Sequence, residues 1–247
     1  MAAELVGHQV AVIATVGGTP AAVAAKTATS TIPIVFTVAD DPVELGLVGS
    51  LARPNGNATG ISFLSVELER KRLELLHEVM PKAMAIAVLL NPNNPQTARQ
   101  VPELKAAALA LGLQLNLSNA STSPEIDKAY SDIVQQRTNA LMIGADTFLL
   151  TRRYQLVALA ARYAIPTIYP YREFIAAGGL MSYGTDLADA YRQEGDYVGR
   201  ILHGVKPGDL PVQQSVKIEL LLNLKAAKAL GLTFPLMLLG RADETIE

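Results

Sequence analysis

The chain has no cysteine, which removes disulfides, thiolate nucleophiles and cysteine-ligated metals and leaves the redox compartment open. Its 3 histidines, His8, His77 and His203, stand far apart with no acid beside them at a ligand spacing, so no metal site is expected. Charged residues are only 18% of the 247, the net charge is −2, and the densest basic run is Arg70-Lys71-Arg72. Nucleic-acid binders carry a basic face, so that class of partner is set aside. No apolar run has the length and purity of a membrane span, and the first residues lack the basic start and apolar run of a leader. No G-x-S-x-G elbow is present, and Gly17-Gly18 has neither dinucleotide spacing nor a following P-loop lysine. With no nucleophile, base or metal in sight, binding is expected rather than catalysis, and no cofactor.

What is present is apolar: 50% of the residues are hydrophobic, enough for a sizeable core. The length suits one large domain or two of roughly 120 residues. VAVIAT at 10–15 is the near-continuous apolar run of a parallel strand buried on both faces. Thr19 can cap the helix that follows, with Pro20 at its first position, and IPIVFT at 32–37 is the next strand. Asp40-Asp41-Pro42 opens a short helix to about residue 52, and 58–63 is a strand. From Ser65 a long amphipathic helix places Val66, Leu73, Leu76 and Met80 on one side. Strands then fall at 83–90, 113–118, 139–144 and 165–169 with helices between them, a complete doubly wound α/β unit. Ser123-Pro124-Glu125 starts one of those helices. Residues 1–62 hold only a partial unit; the helix at 186–203 and the strand near 215–222 are expected to return and complete it. A short helix over 223–230 follows, and 232–247 has no assignable structure.

Open α/β sheets take their ligands outside the carboxyl ends of the strands. In the stretch 165–184 two successive strands end in tyrosine and a turn: Tyr169-Pro170-Tyr171-Arg172, then Tyr183-Gly184, with Phe174 between them. This is expected to form one wall of a small-molecule site and a passage between two lobes; alternatively the tyrosines only cover a sheet edge. The turn from Thr15 through Gly18, Thr19 and Pro20 presents a helix N-terminus, competent for a ligand carboxylate or a plain strand–helix turn. Asp146-Thr147-Phe148 follows a strand directly, so the carboxylate can meet an ammonium or cap the next helix. Asn91, Asn93 and Asn94 read as hydrogen-bonding loop residues or as turn formers. Of 13 aromatics, Phe63, Phe148, Tyr169, Tyr171, Phe174 and Tyr183 all fall at or next to expected strand ends, which favours a planar ligand.

The runs PIVFTVADDPVELGLVGSLARPNGNATGIS, LAARYAIPTIYPYREFIAAGGLMSYGTDLADAYRQ, GRILHGVKPGDLPV and NLKAAKALGL strongly resemble the ABC-type substrate-binding proteins that include tryptophan and tyrosine binders. The resemblance covers nearly the whole chain. It implies a type I periplasmic-binding fold: two Rossmann-like lobes, hinge strands, a ligand held between the lobes by closure, and delivery to a membrane permease and its ATPase. It implies an extracytoplasmic location, periplasmic or membrane-anchored. The lobes would be 1–62 with 184–217, and 63–183; the last strand, helix and tail, 218–247, are left unassigned. The family's ligand contacts map onto the turn 15–20, Asp41, the loop at Asn91, Asp146-Thr147 and Tyr183-Gly184. Family members carry an export segment and a strand–helix–strand ahead of the helix that opens here at Ala2, so lobe 1 is expected to be incomplete at its N-terminus. The strand 10–15 would then present an open edge to which a second copy could pair. Two other readings stay open: an effector-sensing domain like those of sugar-responsive repressors, and an enzyme on a doubly wound fold.

Overall fold

The computed structural model describes residues 1–63, 65–214 and 217–247; the side chain of Val66 and the expected strand start at Ser215 lie outside what is described. The chain begins with α1 (Ala2–Gly7), β1 (Ile13–Thr15), α2 (Thr19–Ala28), β2 (Ile34–Val38) and β3 (Ala58–Ser62). Then come α3 (Ser65–Val79), β4 (Ala85–Leu90), α4 (Thr97–Ala110), β5 (Gln114–Asn119), α5 (Ser123–Gln135), β6 (Ala140–Ile143), α6 (Thr147–Thr151), α7 (Arg153–Arg162), β7 (Thr167–Tyr169), α8 (Arg172–Ala176) and β8 (Met181–Thr185). The last part holds α9 (Leu187–Leu202), a 3-10 turn (Pro207–Asp209), β9 (Gln213–Gln214), β10 (Ile218–Asn223), α10 (Leu224–Ala229), α11 (Leu236–Leu239) and β11 (Glu244–Ile246).

The chain divides into two compact α/β units: residues 1–65 with 185–217, and residues 66–184 with 218–247. The sheet of unit 1 runs in the order β1-β2-β3-β9, every neighbouring pair parallel. β2 is buried along its whole length because apolar groups cover both faces. Ile34, Phe36 and Val38 pack with Ala22 and Ala25 of α2, whereas Val35 packs with Tyr197 and Ile201 of α9. β1 ends the sheet, bonded among the described strands to β2 alone.

The sheet of unit 2 runs β11-β10-β8-β7-β6-β4-β5, with β5, β4, β6, β7 and β8 successively parallel. Its core gathers Leu73 and Leu76 of α3, Ile86, Val88 and Leu90 of β4, and Leu220 and Leu222 of β10. Alternate residues of β4 therefore point to one helical layer, as the 2-residue period of a strand requires.

Four expectations are corrected. Residues 42–52 form turns rather than a helix: the N–H groups of Leu47 and Val48 both return to the Pro42 carbonyl, and Gly46 turns the chain at φ +68°. The strand near 215–222 does not complete the first sheet; the two residues of β9 do that, while β10 enters the sheet of unit 2 and buries Leu220 and Leu222 there. The tail is ordered into α11 and β11, because β11 pairs with β10 and the Asp243 carboxylate accepts the Leu220 N–H at 2.8 Å. The cap before α5 lies one residue earlier than expected, at Thr122, in a reciprocal box with Glu125.

Candidate functional site

β4 and β6 are neighbours in the sheet of unit 2, and their carboxyl ends bring Asn91, Asn94 and Asp146 together. Asp146 caps α6: its Oδ1 accepts the Leu149 N–H at 2.9 Å. Its Oδ2 accepts the side-chain amides of Asn91 and Asn94, each at 3.1 Å. The amide oxygens of Asn91 and Asn94 are used locally, accepting the N–H groups of Asn93 and Gln96 at 3.0 Å. Turn formation and side-chain recognition are thus done by the same two residues. Burial pushes the Asp146 carboxyl above its ordinary range, and the donors around it pull the other way. Thr147 is exposed; Phe148 is half-buried, with the Arg152 guanidinium 5.8 Å from its ring centre.

The next strand ends hold the aromatic residues. Tyr171 is buried at the N-cap of α8 and Tyr183 is half-buried on β8. Phe174 lies elsewhere: fully buried, it stacks on Tyr169 with ring centres 4.7 Å apart and belongs to the core. At Gly184 a Cβ would stand 1.8 Å from the Pro170 carbonyl oxygen, so β8 and the end of β7 approach at a distance only glycine permits. A separate cavity of about 380 Å³, lined by Ala160, Ala164, Ile165, Gly179, Leu180 and Ala226 among others, opens where β7 and β8 begin; of the aromatic residues expected to wall a site, Tyr169 lines it.

Unit 2 also contains a buried pair that the sequence reading missed. Glu69 and Arg72 are each 1% exposed, with Nη2 and Oε1 3.4 Å apart. Arg72 donates from Nη1 to the Tyr183 carbonyl at 3.1 Å, while among the described residues its Nε and both Glu69 oxygens lack a well-formed hydrogen bond, the Ala145 backbone N–H facing Glu69. Burial raises the Glu69 carboxyl, with Arg72 opposing it, and lowers the Arg72 guanidinium, with Glu69 opposing. The available signal was spacing: 69, 72, 73 and 76 recur at helical period on the buried side of α3.

In unit 1 the turn after β1 carries Thr15, Gly18, Thr19 and Pro20. Gly18, at φ +75°, is the N-cap of α2, so Thr19 is its first residue and does not cap. The Thr19 hydroxyl instead donates to Asp40 Oδ2 at 2.6 Å. Asp41 turns outward and accepts the Val43 N–H at 2.8 Å, so its neighbour Asp40 is the acid beside the turn. A second missed acid, Glu194 of α9, accepts the Thr37 hydroxyl at 2.7 Å and is 2% exposed. It occupies the buried stripe of α9 with Leu187, Ala190, Tyr197 and Ile201. Among the described residues, no cluster of three His, Asp or Glu could hold a metal ion, and no helix is long and apolar enough to cross a membrane.

A family model described as ABC transporter substrate binding protein matches residues 1–246. A tyrosine-binding protein of Clostridioides difficile (strain R20291) is 33% identical over 215 residues, covering 87% of this chain and 61% of that protein. The crystal structure of an ABC domain from Streptococcus pneumonia in complex with L-Trp superposes at a TM-score of 0.87 with 26% identity, covering all of this chain and 84% of that one. A conserved domain protein from Vibrio cholerae O1 biovar eltor gives a TM-score of 0.87 and 32% identity, covering 99% of this chain and 81% of the other. The fold is that of type I periplasmic binding proteins, and the chain belongs to the family of ABC transporter substrate-binding proteins.

Proposed function

We propose that this protein is the extracytoplasmic solute-binding component of an ABC importer. It takes up a small carboxylate-bearing solute with an apolar or aromatic body and hands it unchanged to a permease and its ATPase. Amino acids of the kind named for the relatives, tyrosine and tryptophan, are the first candidates. The observation that carries this reading is the convergence of Asn91, Asn94 and Asp146 at adjacent strand ends, on a chain of this family. Carboxyl ends of parallel strands are where open α/β sheets bind ligands.

In this proposal Asn91, Asn94, Asp146, Thr147 and Phe148 engage the solute from unit 2, with Tyr171, Tyr183 and Gly184 from the next strand ends. Unit 1 contributes Thr15, Gly18, Thr19 and Pro20, with Asp40 beside them and Asp41 further out. At the start of the ten-residue α2, which no side chain caps, Pro20 has no N–H and the Ala21 N–H bonds the Gly18 carbonyl at 3.1 Å, so it is the Thr19 N–H with the helix dipole that this reading aims at a carboxylate. Phe174 has a packing role instead. Closure would bend the three chain crossings, at 65/66, 184/185 and 217/218. A second copy adding to the open side of β1 belongs to the same proposal, and sedimentation at micromolar concentration tests it: a monomer at all concentrations removes it.

The main test is calorimetric titration with L-tyrosine, L-tryptophan, other amino acids, aromatic carboxylates and sugars. Saturable binding of a carboxylate at micromolar or tighter affinity, lost in Asp146→Ala, is the expected result. Absence of binding by every carboxylate overturns the reading.

A further inference from the structure

Besides the Asn91–Asn94–Asp146 trio, three acids among the described residues are buried: Glu69, Asp186 and Glu194. Glu69 has Arg72 beside it. Glu194 has no ion pair with a lysine, arginine or histidine among the described residues; on its own helix Arg192 is committed to Asp189 at 2.8 Å, and Lys217 is committed to Asp186 at 2.6 Å. An isolated carboxylate taken out of water is costly, and burial indeed raises the Glu194 carboxyl, against the Thr37 hydroxyl and the Thr15 N–H that face it.

The geometry around it is specific. Thr37 donates its hydroxyl proton to Glu194 Oε2 at 2.7 Å. Among the described residues, Glu194 Oε1 has no well-formed hydrogen bond, and neither has the buried Oγ1 of Thr15, whose backbone N–H faces the same carboxylate. Thr15 and Thr37 sit at the carboxyl ends of the adjacent strands β1 and β2. Nearby, the Thr19 hydroxyl proton is likewise committed to Asp40, at 2.6 Å. The other titratable groups of this region are engaged elsewhere: Tyr191 with the Val16 carbonyl, Tyr197 with the Pro211 carbonyl, and Asp41 with its own turn.

A hydroxyl whose proton goes to a carboxylate can only accept from a third group. We propose that Glu194 is a positioning residue that turns Thr37 into an obligate acceptor at these strand ends, and so selects a ligand with a cationic ammonium over the same acid lacking it. The proposal rests on the solute-binding reading above and narrows its substrate class to α-amino acids. In this proposal the ammonium is met at Thr37 and the carboxylate at the start of α2, the helix that follows β1.

The test compares L-tyrosine with 3-(4-hydroxyphenyl)propanoate, and L-tryptophan with indole-3-propanoate, by calorimetry on the parent protein and on Glu194→Gln, Thr37→Val and Thr37→Ser. The parent is expected to prefer each amino acid over its desamino analogue. Glu194→Gln and Thr37→Val are expected to lower that preference about 10- to 100-fold, the worth of a hydrogen bond to a charged group. Thr37→Ser keeps the hydroxyl and is expected to retain it. A purely structural role for Glu194 would weaken both ligands of a pair equally and leave their ratio unchanged, which overturns the proposal, as does a parent that prefers the desamino acids. If the parent binds no carboxylate of the wider panel, the solute reading and this assignment fall together; if it binds carboxylates but no amino acid, or binds the amino acids and the ratio does not move in Glu194→Gln, only this assignment falls.

Discussion

Replacing Arg72 by methionine isolates the energetics of the buried pair in unit 2. Both side chains are 1% exposed, so the substitution leaves the Glu69 carboxylate in the interior with no neighbouring cation. It also removes the donor to the Tyr183 carbonyl. Stripping one partner from a buried pair costs about 3–5 kcal/mol, because the remaining charge keeps its desolvation penalty and loses its compensation. At about 2–4 °C per kcal/mol for a chain of this size, the melting temperature should fall by roughly 6–20 °C. The loss must depend on pH with a definite sign. Burial already raises the Glu69 carboxyl, and Arg72 is the main influence lowering it; without Arg72 it rises further. An acid whose folded value lies above its unfolded value destabilises the fold as pH climbs between the two. Arg72→Met should therefore be mildest near pH 4.5 and most severe near pH 8. The double variant Glu69→Leu with Arg72→Met should recover most of the loss, since replacing both partners by apolar groups of similar size is often neutral or better. Urea denaturation followed by circular dichroism at several pH values measures all three. A single variant within about 1 kcal/mol of the parent at pH 8, or additive losses in the double variant, refutes the reasoning.

Other consequences are checked in the same way. Asp146→Ala removes the cap of α6 and leaves the amides of Asn91 and Asn94 without their acceptor, so a loss of about 1–2 kcal/mol is expected in denaturant titration. Gly184→Ala drives a methyl group to within 1.8 Å of the Pro170 carbonyl oxygen; with backbone on both sides, a loss of about 3 kcal/mol or a failure to accumulate folded protein is expected on expression and melting. Phe174→Ala opens a void under Tyr169 and should cost about 3–5 kcal/mol, while the milder Phe174→Leu should leave ligand preference unchanged in titration.

The α/β class was legible because the strands that matter are buried on both faces and spell it out: IVFTV and AIAVLL have no polar alternation to confuse with a surface strand. The turn around Gly46 was not, since Val43, Glu44, Leu45 and Leu47 look like one turn of helix until the return of two N–H groups to Pro42 is seen. β11 is three residues, Glu-Thr-Ile, too short for any period; only its pairing with β10 makes it a strand. In the candidate site, loop residues after strands could be read from position alone, as with Asn91, Asn94 and Asp146. Glu69 and Glu194 could not. A charged residue on an otherwise apolar helix stripe looks like an interruption facing water; Glu69 carried only its helical spacing to Arg72 on the same helix, and for Glu194 it is the Thr37 contact that shows it points inward. Choosing between Asp40 and Asp41 needed the Thr19 contact, because adjacent acids carry no information about which of them turns in.

The order of β3 and β9 in the first sheet has a consequence for synthesis. β3 leaves the ribosome early, yet its outer neighbour is the dipeptide Gln213–Gln214, made only after all of β4 to β8. While the second unit is being translated and can already begin to fold, Ile61 and Ser62 expose unmated backbone to any passing strand. A nascent chain stalled before residue 213 should thus be the most aggregation-prone intermediate on the way to the finished protein.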